Sequence, residues 1–401
     1  INLLKNGTIP IYEPGLKELV DKNVNANRLV FTTDVKKAIL ESEVIFIAVG
    51  TPEGDNGKAD MTAVYAVANT IAENINEFKI ICTKSTVPIG SGKTICEIIE
   101  KHPQNIGMYE YVSNPEFLRE GSAVKDFLWP DRVVIGAESQ KAFDIMRDIY
   151  RPLYINETPI MYTNVATAEM IKYAANGFLA LKISYINEIA NLCEEVGADV
   201  HDVARAMGKD GRISPKFLHP GPGFGGSCFP KDTQAIVSTA EEKNVSLDIL
   251  QAAIKTNKNQ KIRMAYKLKS LVNDDLKNKT IGILGLAFKP NTDDVRESSA
   301  IDIIEFIISQ GGEIKAYDPI ANQAMKEYFP NLNYCNSWEM TCEKVNAIAI
   351  MTEWNEFRSI DLTKLKSLMI DPIILDTRNI LDVEKLTKLG FLFDNVGRPK
   401  K

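Results

Sequence analysis

Short apolar runs alternate with longer amphipathic stretches over the first part of the chain, and this alternation limits the fold more than any other feature. The runs predicted as strands are residues 44–49, 80–83, 111–113 and 132–136, and the stretches predicted as helices are residues 63–75, 92–100 and 141–150. A strand followed by a helix, repeated several times, predicts a parallel sheet covered by helices. Residues 1–155 are therefore predicted to form one α/β domain.

The pattern then changes to a long helical stretch. Residues 163–196 contain no proline and end at Gly197, and a glycine at this place is a typical helix stop. More helix-like sequence follows at residues 200–207 and 232–241. These stretches predict a helical middle domain over residues 156–271, and a helix as long as the first one is expected to lie buried between domains or subunits.

A second strand-and-helix region follows the middle domain. An apolar strand, TIGILGLAF, precedes a helix predicted at residues 299–309 and a strand at residues 313–317. Its glycines, Gly282 and Gly285, resemble the G-x-G-x-x-G dinucleotide fingerprint only loosely because the third glycine is absent. Strands are also predicted at residues 347–351 and 373–376, so residues 272–401 are expected to form a second doubly wound α/β domain.

Composition argues against several classes of protein. The 401 residues include 47 Lys and Arg against 53 Asp and Glu, with no basic block, so a nucleic-acid partner is not expected. No apolar run approaches the roughly 20 residues that span a bilayer, and no membrane segment is expected. The six cysteines form no C-x-x-C pair, and the three histidines lack ligand spacing, so neither a metal site nor a disulfide framework is predicted. A cytoplasmic location is expected.

One cysteine stands out because it lies in a glycine-dense loop beside a lysine. The segment GPGFGGSCFPKD contains Cys228 and Lys231. Glycines let a ligand approach the backbone closely, and a nearby lysine can lower the pKa of a thiol so that the thiolate becomes available as a nucleophile. The alternative is a buried structural cysteine beside a flexible loop; the loop composition favours the nucleophile.

Two further sets of polar residues are candidates for chemistry. Lys172 and Asn176 lie four residues apart on one face of the predicted long helix, with Glu169 one turn earlier. A desolvated lysine can act as a general base or hold an oxyanion, although a solvated polar stripe explains the same pattern equally well. Glu116 and Glu120 follow a strand end, where they either divide acid and base work or are plain surface charges.

Five segments of the chain closely resemble one family: KSTVP, SNPEFLREG, AEMIKYAANGFLA, GFGGSCFPKD and LGLAFKPNTDDVRESSA. They are similar to motifs of the UDP-glucose/GDP-mannose dehydrogenase family, and the similarity covers nearly the whole chain. This resemblance implies two Rossmann-type domains joined by a long helix that also forms a homodimer interface. It also implies NAD-dependent oxidation of UDP-glucose to UDP-glucuronate in two hydride transfers, without release of the aldehyde.

The resemblance also implies a catalytic set. Cys228 is the expected nucleophile, which forms a thiohemiacetal and then a thioester. Lys172, with Asn176 and a water held by Asp232, is expected to accept a proton from the C6 oxygen or to stabilise its charge. Glu116 is expected to assist hydrolysis of the thioester.

Binding residues are implied in the same way. The residues expected near NAD are Thr51, Thr86, Glu120, Lys231 and Arg296. Those expected to contact the sugar nucleotide are Glu116, Phe117, Leu118, Lys172, Asn176, Phe217, Leu218, His219, Pro220, Gly221, Gly225 and Lys289. Arg212 resembles a residue that reaches across the dimer, and Arg378 resembles one near the UDP group.

The sequence departs from the family at its start, which opens on Ile1. The G-x-G-x-x-G strand, turn and helix and the strand ending in an acidic residue are not present, so the first domain is expected to be incomplete and the chain a fragment or an incompletely recorded copy. Two alternatives stay open: a sibling acting on GDP-mannose or a UDP-N-acetylhexosamine, and a non-catalytic sugar-nucleotide-binding dimer. A 6-phosphogluconate or 3-hydroxyacid dehydrogenase is disfavoured because it needs no nucleophilic thiol.

Overall fold

The structure of the protein, a computed structural model, describes residues 1–54 and 57–399, apart from the side chains of residues 154–156. These residues form two compact units. The first comprises Ile1–Asn176 with Gln234–Ser246, and the second comprises Gly177–Thr233 with Leu247–Lys401. Within the described ranges, no helix is both long enough and apolar enough to cross a membrane.

The first unit is an α/β sheet domain. Its helices and strands are α1 Asn2–Lys5, α2 Leu16–Asn25, α3 Val35–Glu41, β1 Val44–Ile47, α4 Thr62–Asn74, β2 Lys79–Thr83, α5 Ser91–Glu100, β3 Tyr109–Ser113, α6 Ala123–Leu128, β4 Val133–Gly136, α7 Gln140–Tyr150 and β5 Ile160–Thr163. Two 3₁₀ helices lie at Pro103–Asn105 and Arg151–Asn156. The predicted strands and helices are confirmed, whereas α1, α2, α3, α6 and β5 were not predicted.

The five strands of this sheet lie in the order β1-β2-β3-β4-β5. All neighbours are parallel except β3 and β4, which run antiparallel through the single pair Ser113 and Gly136. The sheet is thus mixed rather than wholly parallel as expected. Strand β2 is buried along its whole length, which accounts for its apolar sequence, and apolar residues of α4 and α5 pack over it.

Long helices follow the first sheet. They are α8 Val165–Val196, α9 Val200–Gly208, α10 Phe229–Glu242 and α11 Asp248–Leu271. The predicted long helix is confirmed, and Gly197, with φ +74°, provides the left-handed residue that ends it. The boundary between the two compact units falls within α8, after Asn176.

The second unit contains a six-stranded sheet in the order β11-β10-β9-β6-β7-β8, with every neighbour parallel. Its strands and helices are β6 Thr280–Leu284, α12 Ser299–Ser309, β7 Glu313–Tyr317, α13 Asn322–Tyr328, β8 Asn333–Tyr334, α14 Trp338–Cys342, β9 Ala347–Ile350, α15 Asn355–Arg358, α16 Leu362–Leu368, β10 Ile373–Asp376, α17 Val383–Lys388 and β11 Leu392–Asn395. Apolar clusters cover both faces of this sheet. The expected doubly wound domain is confirmed.

One buried carboxylate accepts several hydrogen bonds at the carboxyl edge of this second sheet. Asp318 directly follows β7, and its Oδ2 accepts hydrogen bonds from the backbone N–H groups of Leu286 and Ala287 and from the indole N–H of Trp354. Its Oδ1 accepts two more backbone N–H groups, from the residues that follow it. The turn after β6 therefore directs two of its N–H groups at a protein carboxylate.

Candidate active site

Lys172 and Glu116 form a buried ion pair in the first unit. Lys172 lies on α8 and is 3% exposed. Its ammonium donates to the Glu116 carboxylate at 3.0 Å and to the backbone carbonyl of the same residue at 2.6 Å. The pair settles how a lysine is accommodated on this mostly apolar helix, because opposite charge and two hydrogen bonds offset its desolvation. Asn176, one turn later, is also buried.

The neighbouring residues of the loop after β3 are fixed around this pair. The second carboxylate oxygen of Glu116 accepts the backbone N–H of Leu118 at 2.5 Å. The ring of Phe117 lies between two cations, with the guanidinium of Arg132 at 3.5 Å from its centroid and the ammonium of Lys172 at 5.4 Å. Glu116 therefore has one oxygen on a lysine and one on the backbone, a geometry that holds its carboxylate in one orientation.

Glu169 has a different role from the one its helical spacing suggested. Its two carboxylate oxygens accept the backbone N–H groups of Gly90 at 2.6 Å and Gly92 at 2.8 Å, at the start of α5. Burial raises the pKa of this carboxyl group. Glu169 thus caps a helix and does not join the Lys172–Glu116 pair.

A second lysine of this region was missed by the sequence reasoning. Lys84 directly follows β2, and its ammonium donates to the Asn114 side-chain oxygen at 3.0 Å and to the Tyr150 hydroxyl at 3.1 Å. Burial lowers the pKa of Lys84 to about 8, and the charge of nearby Lys172 acts in the same direction. The available signal was its position: Lys84 opens the KSTVP segment, at a strand end.

The loops after β1 and β2 are tied together at the carboxyl edge of the first sheet. The buried hydroxyl of Thr51 donates to the Thr86 carbonyl at 2.8 Å, and the hydroxyl of Ser85 donates to the Val49 carbonyl at 2.6 Å. Doubly wound sheets bind dinucleotides at this edge. Thr51 and Thr86 are two of the residues predicted near NAD. Glu120, a third, is partly buried on the next loop.

The cysteine loop belongs to the second unit. Residues 220–226 are buried, and Cys228 directly precedes α10, with its thiol 3.6 Å from the Ser227 hydroxyl. The ammonium of Lys231 pairs with Asp232 at 2.7 Å, and Asp232 is 1% exposed. The backbone N–H of Asp232 also donates to the Cys228 carbonyl, which sets the first turn of the helix.

The glycines of this loop are required by protein atoms at three positions. A Cβ at Gly225 would lie 2.1 Å from the Glu297 carbonyl oxygen, and one at Gly226 would lie 2.7 Å from the Phe288 ring. At Gly223, with φ +109°, a Cβ would come within 2.9 Å of the Asn257 side-chain oxygen. The density of glycines in this segment is therefore explained by close packing within the second unit, in addition to any approach by a ligand.

The residues expected to contact the sugar nucleotide differ in their surroundings. Phe217 has a left-handed backbone, with φ +65°, Leu218 and Pro220 are buried, and His219 is exposed. Arg378 donates to the carbonyl groups of Met351 and Phe288, and a Cβ at Gly221 would lie 3.6 Å from its guanidinium. The ammonium of Lys289 lies 5.0 Å from the Phe288 ring centroid. Gly221, Gly225, Lys289 and Arg378 are thus brought to one part of the second unit.

Two predicted arginines are exposed and form local pairs. Arg212 makes a two-point contact with Asp210, and its side chain is 91% exposed. Arg296 makes the same kind of contact with Asp294, two residues earlier. The backbone carbonyl of Arg296 also accepts the N–H of Gly226 at 2.9 Å, which ties this segment to the cysteine loop.

Three models of one protein family match successive parts of the chain. A family model of the NAD binding domain matches residues 1–154, one of the central domain matches residues 166–259, and one of the UDP binding domain matches residues 282–383. The chain belongs to the UDP-glucose/GDP-mannose dehydrogenase family. NAD is accordingly its cofactor, and the protein is an NAD-dependent oxidoreductase.

Individual members of the family are similar over the whole chain. It is 47% identical to the UDP-glucose 6-dehydrogenase of Rhizobium meliloti, over 100% of this chain and 92% of that protein. The identity is also 47% with the UDP-glucose 6-dehydrogenase TuaD of Bacillus subtilis, of which 86% is covered. The solved structure of a UDP-glucose dehydrogenase from Pyrobaculum islandicum superimposes with a TM-score of 0.91 at 33% identity, over 99% of this chain and 90% of that one.

Proposed function

We propose that this protein oxidises UDP-glucose to UDP-glucuronate with two equivalents of NAD, through a covalent intermediate on Cys228. The proposal that UDP-glucose is the substrate rests on the 47% identity with two UDP-glucose 6-dehydrogenases over the full length of the chain. The buried Lys172–Glu116 pair and the cysteine loop supply the functional groups that such a reaction needs. No contact among residues 1–54 and 57–399 favours a different sugar nucleotide.

The first oxidation needs a group that handles the proton of the C6 hydroxyl. An ammonium has three N–H groups, and the side chain of Lys172 uses two of them on Glu116. The third is suited to the C6 oxygen, where it stabilises developing negative charge while a water held by Asp232 takes the proton. Asn176, on the same face of α8, orients the same oxygen. NAD, when bound, accepts the hydride that leaves C6 in each of the two oxidations.

The second oxidation uses the thiolate of Cys228. Its sulfur attacks the aldehyde carbon, and the carbonyl oxygen takes up a proton, which gives a thiohemiacetal. Loss of a hydride from carbon and a proton from oxygen converts this adduct into a thioester. A water then attacks the thioester carbonyl with Glu116 accepting its proton, the carbon–sulfur bond breaks, and the carboxylate and the free thiol are released. The fixed orientation of the Glu116 carboxylate suits this last step.

We also infer that the chain forms a homodimer through α8 and acts in the cytoplasm. Phe178, Tyr185 and Leu192 recur every seven residues along this helix, and each is at least 45% exposed. A stripe of large apolar side chains on one helix face is the pattern expected of a subunit interface. All six cysteines are free thiols, which suits a reducing compartment.

The stoichiometry of NADH formation tests the reaction. Purified protein with UDP-glucose and excess NAD is expected to form two NADH for each sugar consumed, while GDP-mannose and UDP-N-acetylglucosamine give far slower turnover. Cys228→Ser is expected to abolish the two-NADH reaction, and Cys193→Ser is the control because Cys193 is buried in the core of the second unit. One NADH per sugar, or full activity of Cys228→Ser, would refute the mechanism.

The dimer is tested separately. Phe178→Asp combined with Leu192→Asp is expected to convert a dimer into a monomer in sedimentation velocity, because two charges are introduced on the apolar stripe. Exposed Lys93, which lies on α5, provides the control substitution Lys93→Asp. A wild-type chain that sediments as a monomer at micromolar concentration would contradict the inference.

A further inference from the structure

Three buried amide side chains contact the cysteine loop through its backbone. The side-chain oxygen of Asn187 accepts the backbone N–H of Gly221 at 2.8 Å, and the side-chain N–H of Gln260 donates to the carbonyl of the same residue at 2.9 Å. Asn257 binds both backbone groups of Phe224, accepting its N–H at 2.7 Å and donating to its carbonyl at 3.0 Å. We call these three residues the amide clamp.

The clamp replaces the hydrogen bonds that secondary structure supplies elsewhere. Residues 221–226 belong to no helix or strand, and all are buried. Buried backbone N–H and C=O groups need partners, and a loop with prolines at 220 and 222 cannot supply them through a regular ladder. The clamp satisfies all four backbone groups of Gly221 and Phe224. Between them, the hydroxyl of Ser299 lies within 3.3 to 3.4 Å of the carbonyl groups of Pro222 and Gly223.

The clamp is itself held in place by rigid elements. Asn187 lies on α8, and Asn257 and Gln260 lie on α11; all three are less than 9% exposed. The side-chain oxygen of Gln260 accepts the amide N–H of Asn191 at 3.0 Å, which fixes its orientation. The Nδ2 group of Asn187 is buried and has no acceptor among the described residues.

We propose that Asn187, Asn257 and Gln260 are positioning residues, which hold the 221–224 backbone in the conformation that presents the Cys228 thiol and binds the sugar nucleotide. This inference rests on the proposed function for its catalytic consequence. The clamp also explains why residue 223 is glycine, because a side chain at this position would displace the amide of Asn257. A loop of glycines and prolines is flexible when unbound, so fixing two of its peptides raises the fraction of molecules in the competent conformation.

The test compares loss of clamp bonds with loss of an equally buried bond elsewhere on the same two helices. Asn257→Ala removes two bonds to the loop, and Gln260→Met removes one with little change in volume. Ser184→Ala is the matched control, since the Ser184 hydroxyl joins α8 to α11 by donating to the Ala253 carbonyl at 2.8 Å and does not touch the loop. The thermal unfolding midpoint is measured for all three variants.

Two readouts are expected to separate positioning from stability. With NAD saturating, kcat/KM for UDP-glucose is expected to fall about 10- to 100-fold in the clamp variants, the range that an unsatisfied buried group produces, and to change less than about twofold in Ser184→Ala. Alkylation of Cys228 by iodoacetamide, followed by mass spectrometry, is expected to be about tenfold faster in the clamp variants because the loop opens. The control is expected to match the wild type.

Each result decides the inference. Wild-type kcat/KM and wild-type alkylation in both clamp variants would overturn it, as would equal changes in Ser184→Ala. If Asn257→Ala does not fold, Gln260→Met provides the same comparison. If the wild-type protein forms no NADH from UDP-glucose, the proposed function fails, but the alkylation rates still support or refute the positioning of the loop because they need no turnover.

Discussion

The sheets of the two units use the polar side chains at their carboxyl edges differently. In the second sheet, the carboxylate of Asp318 accepts four backbone N–H groups and one indole N–H, and these donors satisfy both of its oxygens. In the first sheet, Lys84 is partly buried and has a depressed pKa near the Lys172–Glu116 pair. The polar groups at the edge of the second sheet are satisfied by hydrogen bonds within the protein. The edge of the first sheet contains charged groups that are poorly solvated.

This difference indicates that the groups used in the reaction and the groups that stabilise the fold lie at different sheet edges. Perturbed titratable groups cluster where a reaction needs them, whereas a fully satisfied carboxylate stabilises the turn around it. Substitutions at the first edge should therefore reduce turnover more than stability, and substitutions around Asp318 should do the reverse.

The largest effect is expected at the first edge. Lys172→Met removes the donor aimed at the reacting oxygen, and kcat is expected to fall by about 10² to 10⁴ because charge stabilisation and proton handling are lost together. Steady-state NADH formation measures this. Lys93→Met, on an exposed lysine of the same unit, should leave kcat unchanged. A Lys172→Met variant with more than a tenth of wild-type kcat would contradict the comparison.

The second prediction concerns stability at the other edge. Asp318→Ala leaves several buried N–H groups without an acceptor, and the free energy of unfolding is expected to fall by about 3 to 5 kcal/mol. Denaturant titration measures it. Asp382→Ala removes an exposed carboxylate that accepts two N–H groups at the start of α17, and its expected loss of stability is much smaller. Equal losses of stability in the two variants would show that the buried hydrogen bonds of Asp318 stabilise the protein no more than an exposed helix cap does.

The third prediction is a pH dependence at the first edge. The folded-state pKa of Lys84, about 8, lies below its ordinary value of 10.5 because of burial, so the unfolded chain binds this proton more tightly. The free energy of unfolding contributed by this group therefore rises as pH increases from about 8 to 10.5. Lys84→Met should remove that rise and be relatively more stable below pH 8. An identical pH dependence in wild type and variant would show that Lys84 is not desolvated.

The smallest effect is expected at the helix cap formed by Glu169. Glu169→Ala leaves the N–H groups of Gly90 and Gly92 without their acceptor, and we expect a loss of about 1 to 2 kcal/mol in the free energy of unfolding. The kcat of the folded enzyme should stay within about twofold of wild type, since this carboxylate does not contact Lys172. A large drop in kcat at unchanged stability would place Glu169 in the reaction after all.

Local signals account for the parts of the fold that the sequence predicted. Helix α12 and strand β7 have the predicted bounds, because Ser298 caps the helix and Gly311, with φ +78°, ends the turn after it. Strand β5 was missed because it is half exposed and follows a proline. The antiparallel step between β3 and β4 depends on a contact between distant segments, and no local pattern encodes it.

In the candidate site, too, some residues could be predicted from the sequence and others could not. Motif resemblance supplied Cys228, Lys172 and Glu116, and the structure pairs the last two. It did not supply Lys84, because burial of a lysine depends on neighbours such as Tyr150 from a distant helix. The amide clamp was missed for a related reason: asparagine and glutamine on helices look like surface residues until the loop that they bind is in place.

The packing of the three glycines bears on how the cysteine loop can change in evolution. The obstacle at Gly226 is the side chain of Phe288, but its left-handed backbone, with φ +82°, strains any larger residue there even when residue 288 is smaller. The obstacle at Gly225 is the backbone carbonyl of Glu297, which no substitution at 297 removes. Across related sequences, both positions should therefore remain glycine, position 225 because of its contact with a backbone carbonyl and position 226 because of its backbone conformation.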